Sequence, residues 1–243
     1  AWVPGGGPEA SKPSENPFSD LLLVVDAAGG SLAGMARDVF ERLGVRRVVE
    51  VNGAGSPVNR GGGVVELEQV DWVDERCGDE SGKDLSGHAG VAALLEMALG
   101  RQADLAAGRL WAAAAVFDGD GDRCILLVYD PFRKGLAILD GDRVGLHLAR
   151  FLGERNPGVY QGAIYVNTVD SDLAAGREAA RLGFEPVLSA VGDKWLLWRA
   201  GLSCARALAA GAEENEMRFL EEGEGDARRL GALIEKVGAG SDG

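Results

Sequence analysis

The chain is short of the residues that build zinc sites, disulfide frameworks and membrane spans. Among 243 residues there are 3 cysteines, Cys77, Cys124 and Cys204, with no Cys-x-x-Cys spacing. Scattered thiols of this kind argue against a zinc ribbon or a disulfide scaffold and point to free side chains in a reducing cytoplasm. Histidine is scarcer, with only His88 and His147. His147 falls among apolar neighbours of an expected helix and reads as structural; His88 falls in a polar stretch and reads as a loop residue. Neither is assigned to catalysis. The longest strongly apolar run, Leu110 to Phe117, is far below the roughly 20 residues that span a bilayer, and no basic, apolar leader opens the sequence. Positive charge is in deficit: 25 Lys and Arg stand against 38 Asp and Glu, a net −13, which argues against nucleic acid and anionic membrane as partners.

What is present is an ordinary globular composition, 46% hydrophobic, in a length that holds one large or two small domains. Residues 1–19, with Pro4, Pro8, Pro13 and Pro17 around Gly5 to Gly7, read as linker. Leu21 to Asp26 reads as a buried strand. Ser31 is placed to cap a helix whose apolar face is Leu32, Met35, Ala36, Val39, Phe40 and Leu43, and Gly44 to end it. Arg47 to Val51 then makes a second strand, so the order is a parallel βαβ unit. Asn52 to Gly63 is Gly-rich and irregular, and 64–74 fits neither period. A helix is expected over Ala89 to Ala107, strands over 112–117 and 124–129, a hairpin partner over Leu136 to Leu139, and a helix over Val144 to Leu152 ending at Gly153. Asn156-Pro157-Gly158 reads as a turn and domain boundary. A second βαβ pattern follows, with strand 162–167, helix 171–182 and strand 185–189, and then a helix over Trp195 to Ala210. Residues 211–243 carry nine acidic and four basic residues and little amphipathic pattern, and are expected to be poorly ordered. The fold class is α/β, with two consecutive α/β/α, Rossmann-like, mostly parallel domains.

One segment stands out, Phe117-Asp118-Gly119-Asp120-Gly121-Asp122-Arg123-Cys124. Three carboxylates at alternate positions directly after an apolar strand repel one another, and a bound cation is the simplest reason to gather them. All-oxygen donors suit a hard ion such as Mg²⁺ or Ca²⁺. Arg123 adds a planar cation suited to phosphate. An EF-hand loop counted from Asp118 needs Gly at its sixth position and Glu at its twelfth; here those are Arg123 and Tyr129, and that reading fails. A haloacid-dehalogenase-like phosphatase, with Asp118 as nucleophile, shares the Asp-x-Asp-Gly start but usually carries Thr or Val where Asp122 stands. A non-catalytic Mg²⁺-binding module is the other alternative. Gly78-Asp79-Glu80-Ser81-Gly82-Lys83 is one residue short of a Walker A loop and is followed by Asp84, so it reads as a plain loop. Gly29-Gly30 reads as close strand-to-helix packing.

The Asp118–Arg123 segment resembles the metal-binding loop of the α-D-phosphohexomutases, the phosphoglucomutase, phosphomannomutase and phosphoglucosamine mutase enzymes. Leu23-Val24-Val25-Asp26-Ala27-Ala28-Gly29-Gly30 resembles the start of that family's second domain, and Asp140-Gly141-Asp142-Arg143-Val144-Gly145-Leu146 the helix closing it. Thr168-Val169-Asp170-Ser171-Asp172 and Val191-Gly192-Asp193-Lys194-Trp195 resemble two loops of the third domain. The resemblance implies domain two over 20–155, part of domain three over 156–215, and an acidic tail over 216–243. The second α/β domain would then be incomplete, and the first and fourth domains, with the phosphoserine and the phosphate grip, would be supplied in cis or in trans. It further implies Mg²⁺ held by Asp118, Asp120 and Asp122, phosphoryl support from Arg123, and hexose-phosphate contacts from Asp193 and Lys194 on a loop. Glu213 is the match to the family's sugar-gripping Gly-Glu-x-Ser-Gly-His loop, although Asn215 and Glu216 replace its Ser-Gly pair.

Overall fold

The computed structural model describes residues 16–208. Residues 1–15 of the expected linker, Glu213 and the acidic tail lie outside the described residues. The chain divides into two compact units, Ala1–Gly141 and Asp142–Gly243.

The first unit is built on β1 (Leu21–Asp26), α1 (Met35–Arg42) and β2 (Arg47–Val51). β1 is parallel to β2 on one side and to β4 (Trp111–Phe117) on the other. β5 (Cys124–Asp130) and β6 (Gly135–Leu139) then run as an antiparallel meander, and the two-residue β3 (Trp72–Val73) pairs antiparallel with β6. The sheet order is β2-β1-β4-β5-β6-β3. A strand covered on both faces reads as a continuous apolar run, and Leu22 to Val25 does so. Leu22 and Val24 join the core under α2 (Ala89–Leu99), whereas Leu23 and Val25 pack with Ala36 and Val45 on the α1 side.

Two local expectations change. Ser31 does not cap α1, which starts at Met35 with Gly34 in the cap position and no side-chain hydrogen bond; the Ser31 hydroxyl is engaged by the loop after β4 instead. On α1 only Ala36 is buried, while Met35, Val39 and Leu43 stay exposed. The helix expected over 89–107 breaks at Gly100. The Arg101 N–H turns back to the Ala98 carbonyl, and a short α3 (Gln102–Ala106) follows. Glycine is a poor helix former, which locates the break. The ambiguous 64–74 stretch becomes a 3₁₀ helix, Val64–Leu67, and β3.

The second unit contains α4 (Gly141–Arg155), α5 (Pro157–Tyr160), a parallel pair β7 (Ile164–Thr168) and β8 (Glu185–Ser189) joined through α6 (Leu173–Arg181), and α7 (Asp193–Leu208). Asp172 caps α6 by accepting the Ala174 N–H at 2.8 Å. The break between units precedes α4, whereas the sequence reading set it at Asn156-Pro157-Gly158. Ala149 of α4 buries itself with Ala179 and Phe184, so burial decides which unit the helix joins. Gly153 lies inside α4, where a Cβ would touch the Phe184 ring.

Candidate metal centre

The acidic loop is the turn of a β-hairpin. β4 and β5 pair with Phe117 opposite Cys124, so Asp118 to Arg123 must reverse the chain. Gly121 adopts φ +82°, a left-handed conformation that glycine enters at little cost. The Asp118 Oδ1 accepts the N–H groups of Gly121 at 3.0 Å and Arg123 at 3.1 Å, and its Oδ2 accepts Arg123 Nε–H at 2.9 Å. Asp118 is 3% exposed. Burial pushes its carboxyl up, but the hydrogen bonds from the Arg123 backbone and guanidinium outweigh this and hold it down at about 2.

A second segment holds the loop in place. The Ser31 N–H donates to the Gly119 carbonyl at 2.9 Å and the Ser31 hydroxyl to the Asp120 carbonyl at 2.6 Å. This contact requires Gly30, where a Cβ would run into the Gly119 carbonyl. The turn carrying Gly30 and Ser31 is fixed in turn by Asp26 at the end of β1. Fully buried, Asp26 accepts the Ala28 N–H at 2.9 Å, Asn52 Nδ2 at 3.0 Å and the Gly63 N–H at 3.2 Å.

With the loop so held, one oxygen from each of Asp118, Asp120 and Asp122 falls within 4.8 Å of the others. Asp118 is buried and the other two are exposed. The donor set is therefore all oxygen, anionic and open on one side, which fits a hard divalent cation. Cys124, next along the chain, is a free thiol pushed up to about 11, chiefly by burial.

The remaining predicted residues belong to other elements of the chain. Asp193 and Lys194 are not on a loop; they form the first turn of α7, directly after Gly192 at φ +115°. The Lys194 ammonium lies 4.9 Å from the centre of the Trp195 ring. Glu213 is outside the described residues. His88 is not a loop residue but the buried N-cap of α2. Its Nε2 lies 2.9 Å from the Gly63 carbonyl and its Nδ1 accepts the Val91 N–H, which sets the Nε2–H tautomer. Sequence reasoning missed Ser31 as the latch on the acidic loop, and it missed Glu68, whose Oε1 accepts Arg123 Nη1 at 2.9 Å. Partners 89 and 55 residues apart in sequence leave no local signal.

No protein-family model matches the chain. The phosphoglucosamine mutase of Pseudomonas fluorescens Pf0-1 is 31% identical over 189 residues, covering 78% of this chain and 34% of that protein. The phosphoglucosamine mutase of Azotobacter vinelandii DJ is 27% identical over 192 residues, with the same coverage. Over 78% of its length the chain is similar to curated phosphoglucosamine mutases of the α-D-phosphohexomutase type. It spans about a third of the length of the curated phosphohexomutases it matches. Among solved structures, N-acetylphosphoglucosamine mutase of Aspergillus fumigatus, in complex with glucose 1,6-bisphosphate, aligns at 18% identity with a TM-score of 0.53, covering 93% of this chain and 44% of that one. An apo N-acetylglucosamine-phosphate mutase aligns at 18% identity with a TM-score of 0.50, covering 76% and 32%. These likenesses show that the α/β fold of this chain is the phosphohexomutase fold. Among the described residues, no helix is long and apolar enough to cross a membrane.

Proposed function

We propose that this chain carries the metal loop of a phosphohexomutase, an enzyme that moves a phosphoryl group between C1 and C6 of a hexose through a phosphoserine and a hexose bisphosphate. The observation that carries the reading is the convergence of Asp118, Asp120 and Asp122 on a hairpin turn whose next residue, Arg123, is an oriented guanidinium. The chemistry that a bound Mg²⁺ supplies here is neutralisation of phosphoryl charge, which is most of what phosphoryl transfer asks of a protein.

The chain's own residues then divide the work. Asp118, Asp120 and Asp122 hold the cation. Arg123 spends one Nε–H on Asp118 and one Nη1 hydrogen on Glu68, and offers its remaining N–H donors to phosphoryl oxygens. Asp193 and Lys194, in the second unit, contribute a hydroxyl acceptor and a phosphate or sugar-oxygen donor, and Glu213 a further sugar contact. The family resemblance implies a phosphoserine in a Ser-His-Asn-Pro-like context; no serine directly precedes a histidine in this sequence, so the phosphoserine is supplied by a domain outside it. The phosphatase reading is weaker. An Asp118 nucleophile would have to attack with an oxygen already committed to N–H donors and with basicity lowered to a pKa of about 2.

The test is a calorimetric titration of the chain with Mg²⁺, followed by glucosamine 1-phosphate, glucose 1-phosphate and inorganic phosphate in its presence. The proposal expects Mg²⁺ binding that Asp120→Asn weakens, and a hexose phosphate bound in preference to inorganic phosphate. It also expects no mutase turnover by the chain on its own in a coupled assay primed with glucose 1,6-bisphosphate. Absence of Mg²⁺ binding, or robust turnover without an added phosphoserine domain, overturns it.

A further inference from the structure

Arg123 is held from two directions by segments far apart in sequence. Its Nε–H donates to Asp118 Oδ2 and its Nη1 to Glu68 Oε1, both at 2.9 Å. The first partner belongs to the acidic loop; the second follows the 3₁₀ helix Val64–Leu67. Side chains of Arg123 and Glu68 are both about half exposed, at 55% and 54%, and an exposed pair of this kind adds little to stability. Its effect is on geometry. A free arginine side chain samples many rotamers, and a planar fork bound at two of its nitrogens is restricted to one orientation.

The anchor behind Glu68 is unusually firm for a surface carboxylate. The Gly63 N–H donates to the buried Asp26 and the Gly63 carbonyl accepts from His88. Val64 and Leu67 are each 1% exposed. Lys83 Nζ donates to the Glu66 carbonyl at 2.5 Å. Glu68 is thus delivered from a segment pinned on the same Asp26 that organises the turn holding the acidic loop.

We infer that Glu68 is a positioning residue: it fixes the Arg123 guanidinium so that the Nη2 edge, which takes part in neither of these two hydrogen bonds, is presented to an incoming phosphoryl anion. This rests on the mutase reading for the identity of the anion but not for the clamp itself. Glu68 touches neither phosphate nor cation; it acts through Arg123.

The experiment uses the full chain labelled with ¹⁵N-arginine, with the Arg123 signals assigned by their loss in Arg123→Lys. In the wild type the Arg123 Nη1 and Nη2 resonances stay separate, because a gripped guanidinium does not rotate freely. Glu68→Ala is expected to merge them. Glu68→Gln, which keeps an acceptor oxygen at the same reach, is expected to keep them apart. In parallel, Glu68→Ala is expected to weaken glucose 1-phosphate binding in the presence of Mg²⁺ on the order of tenfold, the scale of one charge-assisted hydrogen bond, with Mg²⁺ affinity and thermal unfolding unchanged. Resonances that stay separate in Glu68→Ala overturn the proposal. A wild-type chain that binds no hexose phosphate while its resonances respond as stated counts against the mutase reading and leaves the clamp in place.

Discussion

Among the described residues, the two units of this chain bury their apolar residues on different scales. The first closes a six-stranded sheet over a core that includes Leu67, Leu94, Leu127, Leu136 and Ile138, each 2% exposed or less. The second, among its described residues, has one parallel strand pair and a buried cluster of Ala149, Ala179 and Phe184, and it leaves Leu173, Leu188 and Leu197 half exposed or more. The acidic loop, its Ser31 latch, the Asp26 network and Glu68 all belong to the first unit. The acidic cluster therefore owes its geometry to contacts made within the first unit. Asp193 and Lys194 belong to the second unit, at the start of a helix.

The sharpest way to break this contrast is in the cores. Leu127→Ala should destabilise the first unit by about 2–5 kcal/mol, the usual result of emptying a buried leucine site, as read by denaturant unfolding. Gly30→Ala comes next. Its Cβ meets the Gly119 carbonyl, so the loop must shift, and Mg²⁺ affinity measured by calorimetry should fall about 10–100-fold, as when a supporting shell is disturbed. Asp120→Asn removes an exposed carboxylate charge but no packing; on the proposed reading Mg²⁺ binding should weaken on the order of tenfold, with unfolding free energy changed by less than about 0.5 kcal/mol.

Acid sharpens the comparison further. Asp118 is held at about 2 when folded against an ordinary 3.8. A depressed carboxyl contributes stability that is complete above its unfolded pKa and is lost as pH falls through the folded one. The metal-free protein should therefore lose stability between about pH 4 and pH 2, and Asp118→Asn should remove that part of the pH dependence. The smallest effect is expected for Leu188→Ala, on a residue 50% exposed, which should alter unfolding by no more than about 0.5 kcal/mol.

Where sequence patterns are local, the structure follows them closely. Leu21–Asp26, Arg47–Val51 and Glu185–Ser189 are strands with the expected limits, and Gly44 and Gly183 take the left-handed conformation at helix ends. The acidic loop was legible because its three carboxylates share a turn of six residues. The errors arise where a long-range contact competes with a local preference. Ser31 has the chemistry of a helix cap, but its hydroxyl finds the Asp120 carbonyl. His88 lies in a polar stretch, but Gly63 and Val91 give both its ring nitrogens partners, and burial follows. Asp193 and Lys194 follow a glycine, as a loop would, but α7 begins with them.

The sequence by itself determined the α/β alternation, the loop between two strands that bears Asp118, Asp120 and Asp122, and the resemblance to the phosphohexomutases, because strand and helix periods and a compact motif are properties of neighbouring residues. Only the tertiary structure decided that Gly30 and Ser31 hold the acidic loop, that Asp26 ties that turn to the 63–68 segment, and that Glu68 shares Arg123 with Asp118. These are contacts between residues tens of positions apart. They form when burial of the β1 and β4 strands brings their ends together, and no one-dimensional pattern specifies which polar groups will then meet.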